Sequence, residues 1–223
     1  MVAAAPGAGV VKTERERKYL REDGDPPEPA DLAAHLAPWG LTVGEVARAV
    51  HKDRYYDDPR LSLQRVGFAL RRRTGEGRVV ATLKTLGTVR DGEHVRGELE
   101  VVLDADAPQG WPTELADAVG TVTDPAALHV VMSLDVERRD LPVLHGGVRV
   151  ATLSFDDVTA RKPGQDRRAA WREVELEWAE AAPADAGTAL EGAAEALATA
   201  YGWTPSDRTK LERGHAQLLG EGA

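Results

Sequence analysis

The sequence predicts an α+β domain built mostly of antiparallel strands, with helices at its periphery and at the C-terminus. Three observations carry this reading. From Leu63 onward, segments of strand-like composition follow one another, separated by short turn signals. Charged residues recur at i, i+2 spacing on several of these segments, as expected when alternate side chains share one face of a strand. The last 35 residues instead place apolar side chains at helical spacing.

The elements follow in chain order. Residues 10–20 suit either a strand or a charged helix, and propensity slightly favours helix because Glu, Arg and Lys are good helix formers. Residues 22–29 form a loop, since Pro26, Pro27 and Pro29 lack donors and fix φ. Asp31 is placed as the N-cap of a short helix stopped by Pro38 and Gly40. Thr42 caps a second helix over 43–50, and residues 51–56 then run into the Asp57-Asp58-Pro59 turn. Strands are expected over 63–73, 78–87 and 94–103, separated by turns at 75–77 and 91–93. A short helix follows at 113–120. Three more strands cover 128–141, 147–156 and 170–179, with Gly146 and Gly147 turning between the first two. An Ala-rich helix runs from Ala189 to Tyr201 and ends at Gly202. Thr204-Pro205-Ser206 starts the last helix, with Pro205 suiting its first turn. Residues 1–9 are read as a flexible N-terminal tail, 10–215 as one domain and 216–223 as a C-terminal tail.

The totals narrow the function. The 223 residues include 42% hydrophobic and 29% charged side chains, enough to bury a sizeable core in a single domain. There is no cysteine, so any metal is held by oxygen or imidazole. The net charge of −9 argues against nucleic acid as the main partner, while leaving room for a small polyanion in a local basic pocket. No apolar run is long enough to span a bilayer, so no membrane partner is expected and a cytoplasmic location is the default. The chain holds only six lysines among 28 basic residues, which draws attention to Lys12, Lys18, Lys52, Lys84, Lys162 and Lys210.

Charge stripes at strand spacing are the most informative feature. Glu14, Glu16 and Lys18 share a face. So do Arg71 and Arg73; Arg96, Glu98 and Glu100; and Glu173, Glu175 and Glu177, while Lys84 sits near the end of its strand. A single stripe commonly marks a solvated sheet face. Several together, grouped by sign, suit the interior of a closed sheet, where alternate residues of all strands converge. Such an interior is too costly to keep dry and empty. Arg and Lys match phosphate oxygens, and clustered carboxylates suit a hard divalent ion, Mg²⁺ or Mn²⁺.

The six histidines, His35, His51, His94, His129, His145 and His215, form no spaced metal set and are read as surface or partly buried structural groups. The five tryptophans are read as outer-core packing. The Ala-rich helix reads as a packing element, with a homodimer surface as the alternative.

Glu14-Arg15-Glu16-Arg17-Lys18 resembles the E-x-E-x-K signature that opens the CYTH, or triphosphate tunnel metalloenzyme, superfamily. Further matches come in family order. Residues 55–73 look like its Tyr-Tyr-Asp-Thr-Pro stretch and Leu-Arg-x-Arg. Residues 81–87 look like its Thr-Leu-Lys strand, and Arg96 to Glu100 like its Arg-x-Glu-x-Glu. Asp156, Glu173 and Glu175 match its late aspartate and closing E-x-E, and residues 206–214 its C-terminal Ser-Lys helix. Arg15 and Arg17 depart from the pattern, standing where relatives often have outward apolar residues.

The resemblance implies an eight-stranded antiparallel tunnel that binds a triphosphate-bearing substrate. It implies phosphate ligands at Lys18, Arg71, Arg73, Lys84, Arg138 and Lys210. It implies metal ligands at Glu14, Glu16, Glu98, Glu173 and Glu175, with Glu100 and Asp156 as second choices. Glu14, Glu16, Lys18 and Glu173 would carry catalysis. Arg138 is preferred to Arg139 as the inward residue, and Arg72 should face outward. The expected reaction is hydrolysis of inorganic triphosphate. Alternatives are a thiamine or nucleoside triphosphatase, a class IV-type adenylate cyclase, or a non-catalytic polyphosphate- or nucleotide-binding module.

Overall fold

The computed structural model describes residues 9–22, 24–90, 92–103, 110–180, 182–183 and 186–220. In chain order the elements are β1 (Val10–Leu20), α1 (Pro29–Leu36), β2 (Leu41–Val43), β3 (Ala47–Asp57), α2 (Ser62–Arg65), β4 (Ala69–Gly75), β5 (Arg78–Arg90), β6 (Glu93–Leu103) and α3 (Thr113–Gly120). There follow β7 (His129–His145), β8 (Val148–Arg161), β9 (Arg168–Trp178), α4 (Ala186–Tyr201), β10 (Thr204–Pro205) and α5 (Lys210–Leu219).

Eight strands pair in the order β1-β6-β5-β4-β3-β7-β8-β9, and β1 then pairs β9, closing an antiparallel barrel. The closure is possible because β1 has two partners. Its first part registers with β6, with Glu14 opposite Arg96, and its second with β9, with Lys18 opposite Glu175. Closure removes the exposed edge that would invite pairing with another chain.

Apolar side chains on the outer faces meet helices on two sides. Leu153, Phe155, Val174 and Leu176 pack with Leu190, Ala194 and Leu197 of α4 and with Leu32 and Leu36 of α1. Leu70, Leu83 and Val101 pack with Leu63 of α2 and with Leu115 and Val119 of α3. Full burial of each such side chain is worth roughly 1.5–3 kcal/mol. A third cluster seals one end of the lumen: Met132, Leu134, Val136, Val158 and Trp171 meet Leu211 and Leu218 of α5.

Several local expectations are corrected. Residues 10–20 form a strand, because their alternation of buried Glu14, Glu16 and Lys18 with less buried neighbours matches a two-residue period and two strand partners override helix propensity. The helix expected over 43–50 is absent. Leu41–Val43 and Ala47–Asp57 are strands that both pair with β7. Asp31 is not an N-cap; α1 starts at Pro29, and Asp31 lies in its first turn. The strand expected from Leu63 begins only at Ala69, after a helical turn whose backbone amides at Leu63 and Gln64 donate to the Asp57 carboxylate. Pro205 belongs to β10, paired with Tyr19, and not to the last helix. That helix starts at Lys210 under a capping box between Thr209 and Glu212, and runs through residue 215 to Leu219. Strands β7 and β8 also extend past their expected ends, to His145 and Arg161.

Candidate functional site

The barrel lumen holds a narrow cavity of about 130 Å³ lined by eight cationic and six anionic side chains. The walls face it in a regular order. β1 contributes Glu14, Glu16 and Lys18; β4, Arg71 and Arg73; β5, Lys84; β6, Arg96, Glu98 and Glu100; β7, Arg138; β9, Glu175 and Glu177; and α5, Lys210. A register shift in β5 between Lys84 and Gly87, opposite Glu98 and Arg96, inserts one residue into β5 just past the inward-facing Lys84. Only glycine fits at 87, since a Cβ there would lie 2.0 Å from the Val95 carbonyl oxygen.

Two ion-pair groups divide the lumen. In the first, Asp156, Glu173 and Glu175 are buried and each brings one carboxylate oxygen within 4.8 Å of the others. Three cations face them. Arg138 donates to Asp156 at 2.7 and 2.5 Å and to Glu175 at 2.6 Å. Lys210 Nζ lies 2.9 Å from Asp156 and 2.7 Å from Glu175 and also pairs with Glu173. Lys18 pairs with Glu175, and with Glu16 at 3.0 Å. In the second group, Lys84 donates to Glu14 at 2.6 and 2.8 Å and lies 3.5 Å from Glu98. Arg96 spans Glu14 and Glu16, at 2.8 Å to each.

The charges follow from this pairing. Burial pushes the Glu175 carboxyl up, but Lys18, Lys210 and Arg138 outweigh it and hold it well below the usual carboxylate range. Burial likewise opposes ionisation of Asp156, yet Arg138 and Lys210 bring it down to about 2. Burial lowers the Lys84 ammonium and neighbouring Arg96 lowers it further, against Glu14 and Glu98. Glu177 moves the other way, raised by burial and by Glu14 and Glu16.

The structure therefore brings together the phosphate- and metal-ligand candidates named from the sequence, while Lys52 and Lys162 lie outside the cavity lining. Of those candidates, Asp156 and Glu173 stand just behind the cavity lining, and the others lie on it. Arg138 faces the lumen; its neighbour Arg139 turns outward and donates to the Pro27 carbonyl at 2.9 Å. Arg72 also faces outward, its guanidinium 4.3 Å from the Trp111 ring centroid. Arg15 does the same over Trp178 and pairs with Glu93 and with Glu191 of α4. Charge thus replaces apolar contact on that face of β1. Two histidines are more deeply placed than expected: His51 and His94 are both buried. Trp171 packs inside the barrel rather than on its outer core, donating to Glu173 at 2.8 Å.

Lys12, Tyr55 and Arg96 also line the cavity, and Asp53 lies fully buried behind Arg71 and Arg73. The signal for Asp53 and Tyr55 was the two-residue alternation His51, Asp53, Tyr55. Reading 43–50 as helix concealed the strand that carries it.

A closed antiparallel barrel around a lumen of paired Lys, Arg, Asp and Glu defines a tunnel protein. Residues 12–214 match the CYTH domain model, and the chain belongs to that family. Solved structures share the fold. HpAC1 from Hippeastrum, described as having a dominant triphosphatase activity, is 18% identical, with 94% of this chain and 97% of that one covered and a TM-score of 0.60. PH1819 from Pyrococcus horikoshii is also 18% identical, with 94% and 99% covered and a TM-score of 0.53. No curated protein matches the sequence significantly. Among the described residues no helix is long and apolar enough to cross a membrane.

Proposed function

We propose that this chain is a metal-dependent triphosphatase that removes the terminal phosphate of inorganic triphosphate inside its tunnel. The observation that carries the reading is the convergence of Lys18, Arg71, Arg73, Lys84, Arg138 and Lys210 on one cavity, interleaved with carboxylates. Cations from β1, β4, β5, β7 and α5 surround a volume suited to a short polyanion, with guanidinium forks and ammonium point charges on several sides. Among the described residues that line the cavity, Tyr55 is the one aromatic side chain. That small aromatic surface favours inorganic triphosphate over a substrate with a ring to stack.

A divalent ion fits the donor set. Asp156, Glu173 and Glu175 offer carboxylate oxygens close together, the hard donors that Mg²⁺ and Mn²⁺ prefer. The lining signs are nearly balanced, so a polyanion is best accommodated when a cation enters with it. Glu14, Glu16 and Glu98 are the further candidates. The ion, when bound, would polarise phosphate oxygens and lower the pKa of water.

The chain's own residues do the rest. Lys18, Arg71, Arg73 and Lys84 neutralise non-bridging oxygens, while Arg138 and Lys210 stabilise charge developing near Asp156 and Glu175. Glu173, held by Trp171, is placed to orient a water and take its proton. The water oxygen bonds to the terminal phosphorus as the bridging P–O bond breaks, releasing phosphate and diphosphate.

The test is phosphate release from inorganic triphosphate with Mg²⁺ or Mn²⁺, beside ATP and thiamine triphosphate, for wild type and Glu16→Ala. Metal-dependent release that prefers inorganic triphosphate and is abolished by Glu16→Ala supports the reading. Turnover only of an organic triphosphate changes the substrate, and no turnover of any of them sinks the hydrolase.

A further inference from the structure

Asp53 is a buried acidic side chain that the proposed chemistry leaves without a task. It comes from β3, is fully buried, and is not among the residues lining the cavity. It stands opposite Arg73 in the β3–β4 register, and Tyr55 stands opposite Arg71. Its carboxylate accepts a two-pronged contact from Arg73, Nε and Nη2 each at 2.8 Å, and a longer one from Arg71 Nη1 at 3.4 Å. Among the described residues, Arg71 makes one other hydrogen bond, to the Thr82 hydroxyl at 3.5 Å, and its Nε has no hydrogen-bond partner.

We propose that Asp53 is a positioning residue that holds Arg71 and Arg73 in the orientation that receives phosphate, an inference that rests on the triphosphate reading of the tunnel. A guanidinium is a flexible side chain with five donors. Arg71 also lies in the field of Glu98 and Glu14 across the lumen. Without an anchor behind it, Arg71 swings toward those carboxylates and spends its donors there. Asp53 draws both guanidinium groups back onto the β3–β4 wall. The fork uses Nε and Nη2 of Arg73 and leaves Nη1 for the guest. Preorganised donors bind more tightly because less freedom is lost on binding.

Charge alone predicts the opposite sign. Removing a carboxylate from behind two cations makes the lumen more positive and should tighten binding of a polyanion. Geometry and charge are therefore separable by one measurement, the affinity for inorganic triphosphate in EDTA, read by titration calorimetry. Asp53→Asn removes the charge, and Asp53→Glu keeps it while moving the carboxylate by one methylene. Both variants are expected to bind triphosphate at least tenfold more weakly than wild type. In an Arg71→Gln/Arg73→Gln background, Asp53→Asn should change the affinity less than twofold, since nothing remains to be positioned. Should Asp53→Asn alone fail to fold, Asp53→Asn/Arg73→Gln removes both members of the buried pair and is compared with Arg73→Gln. The double variant should bind at least fivefold more weakly, because Arg71 has then lost its anchor. Wild type that binds triphosphate beside an Asp53→Asn variant that binds it equally or more tightly overturns the inference alone. Weakening that persists undiminished without the two arginines overturns it too. Wild type that binds no triphosphate either in EDTA or with Ca²⁺ present overturns the tunnel reading, and the inference with it.

Discussion

Lys210, the first residue of α5, places its ammonium 2.9 Å from the carboxylate of Asp156 on β8. The contact joins the last helix to the barrel wall it packs on and puts a cation among three buried acids. Burial opposes the Lys210 charge, but Glu173, Glu175 and Asp156 outweigh it and hold its pKa well above the usual lysine range.

Replacing Lys210 by Ala therefore leaves carboxylates short of a counter-charge. Breaking one side of a buried ion pair costs about 3–5 kcal/mol. We expect a lower Tm in EDTA, and a larger recovery with Mn²⁺ than wild type shows, since a divalent ion takes over the neutralising role. Thermal unfolding with and without Mn²⁺ reads this directly, and equal shifts in the two proteins would refute it.

Arg138 and Arg139 are neighbours with opposite duties. Arg138→Gln should lower triphosphate turnover by about 100-fold or more, in the range found when one charge-stabilising donor is lost. Arg139→Gln loses a hydrogen bond to Pro27 and should cost about 1 kcal/mol of stability, with kcat/KM within threefold of wild type. Comparable damage from both would mean that the facing of β7 is wrong.

His51 is expected to make the protein acid-labile. Burial and nearby Arg73 hold the imidazole neutral and bring its pKa down to about 3. A depressed pKa means the unfolded chain takes up a proton that the folded one refuses. The stability is thus present above about pH 6.5 and is lost as pH falls from there toward 3. Between pH 7 and 4.5, wild type should lose about 2 kcal/mol more than His51→Leu in urea denaturation, from the roughly 1.4 kcal/mol carried by each pH unit in that window. Parallel losses in the two proteins would assign the acid sensitivity to other groups.

Thr209 sets where α5 begins. Its hydroxyl accepts from the Glu212 amide while Glu212 accepts from the Thr209 amide. Thr209→Ala should cost about 1 kcal/mol. Because the cap adjoins Lys210, the variant should also raise KM for triphosphate, whereas a change in Tm with unaltered kinetics would separate the cap from the tunnel.

Much of the site was legible because a strand alternates strictly. Glu14, Glu16 and Lys18, or Glu173, Glu175 and Glu177, share a face whatever surrounds them. The motifs resembling the CYTH family then supplied their order around a barrel. Local boundaries were less legible. A Thr42 cap and helix-forming residues point to a helix over 43–50, although Gly44 lies inside it, in the break between β2 and β3. The strand prevails because β7 is long enough to pair with both β2 and β3.

Taken alone, the sequence determined which side chains face one another's side of a strand, the surplus of carboxylates and guanidinium groups that demands a wet or ligand-filled interior, and the family. Only the tertiary structure decided which charges meet. Arg96 meets Glu14 and Glu16 because the β1–β6 register sets it opposite Glu14. Arg138 rather than Arg139 faces inward because of the β7 register, and Asp53 lies behind Arg73 because β3 and β4 are paired there. Those pairings depend on register and closure, which join residues far apart in the chain. A two-residue period specifies a face and says nothing about the partner across it.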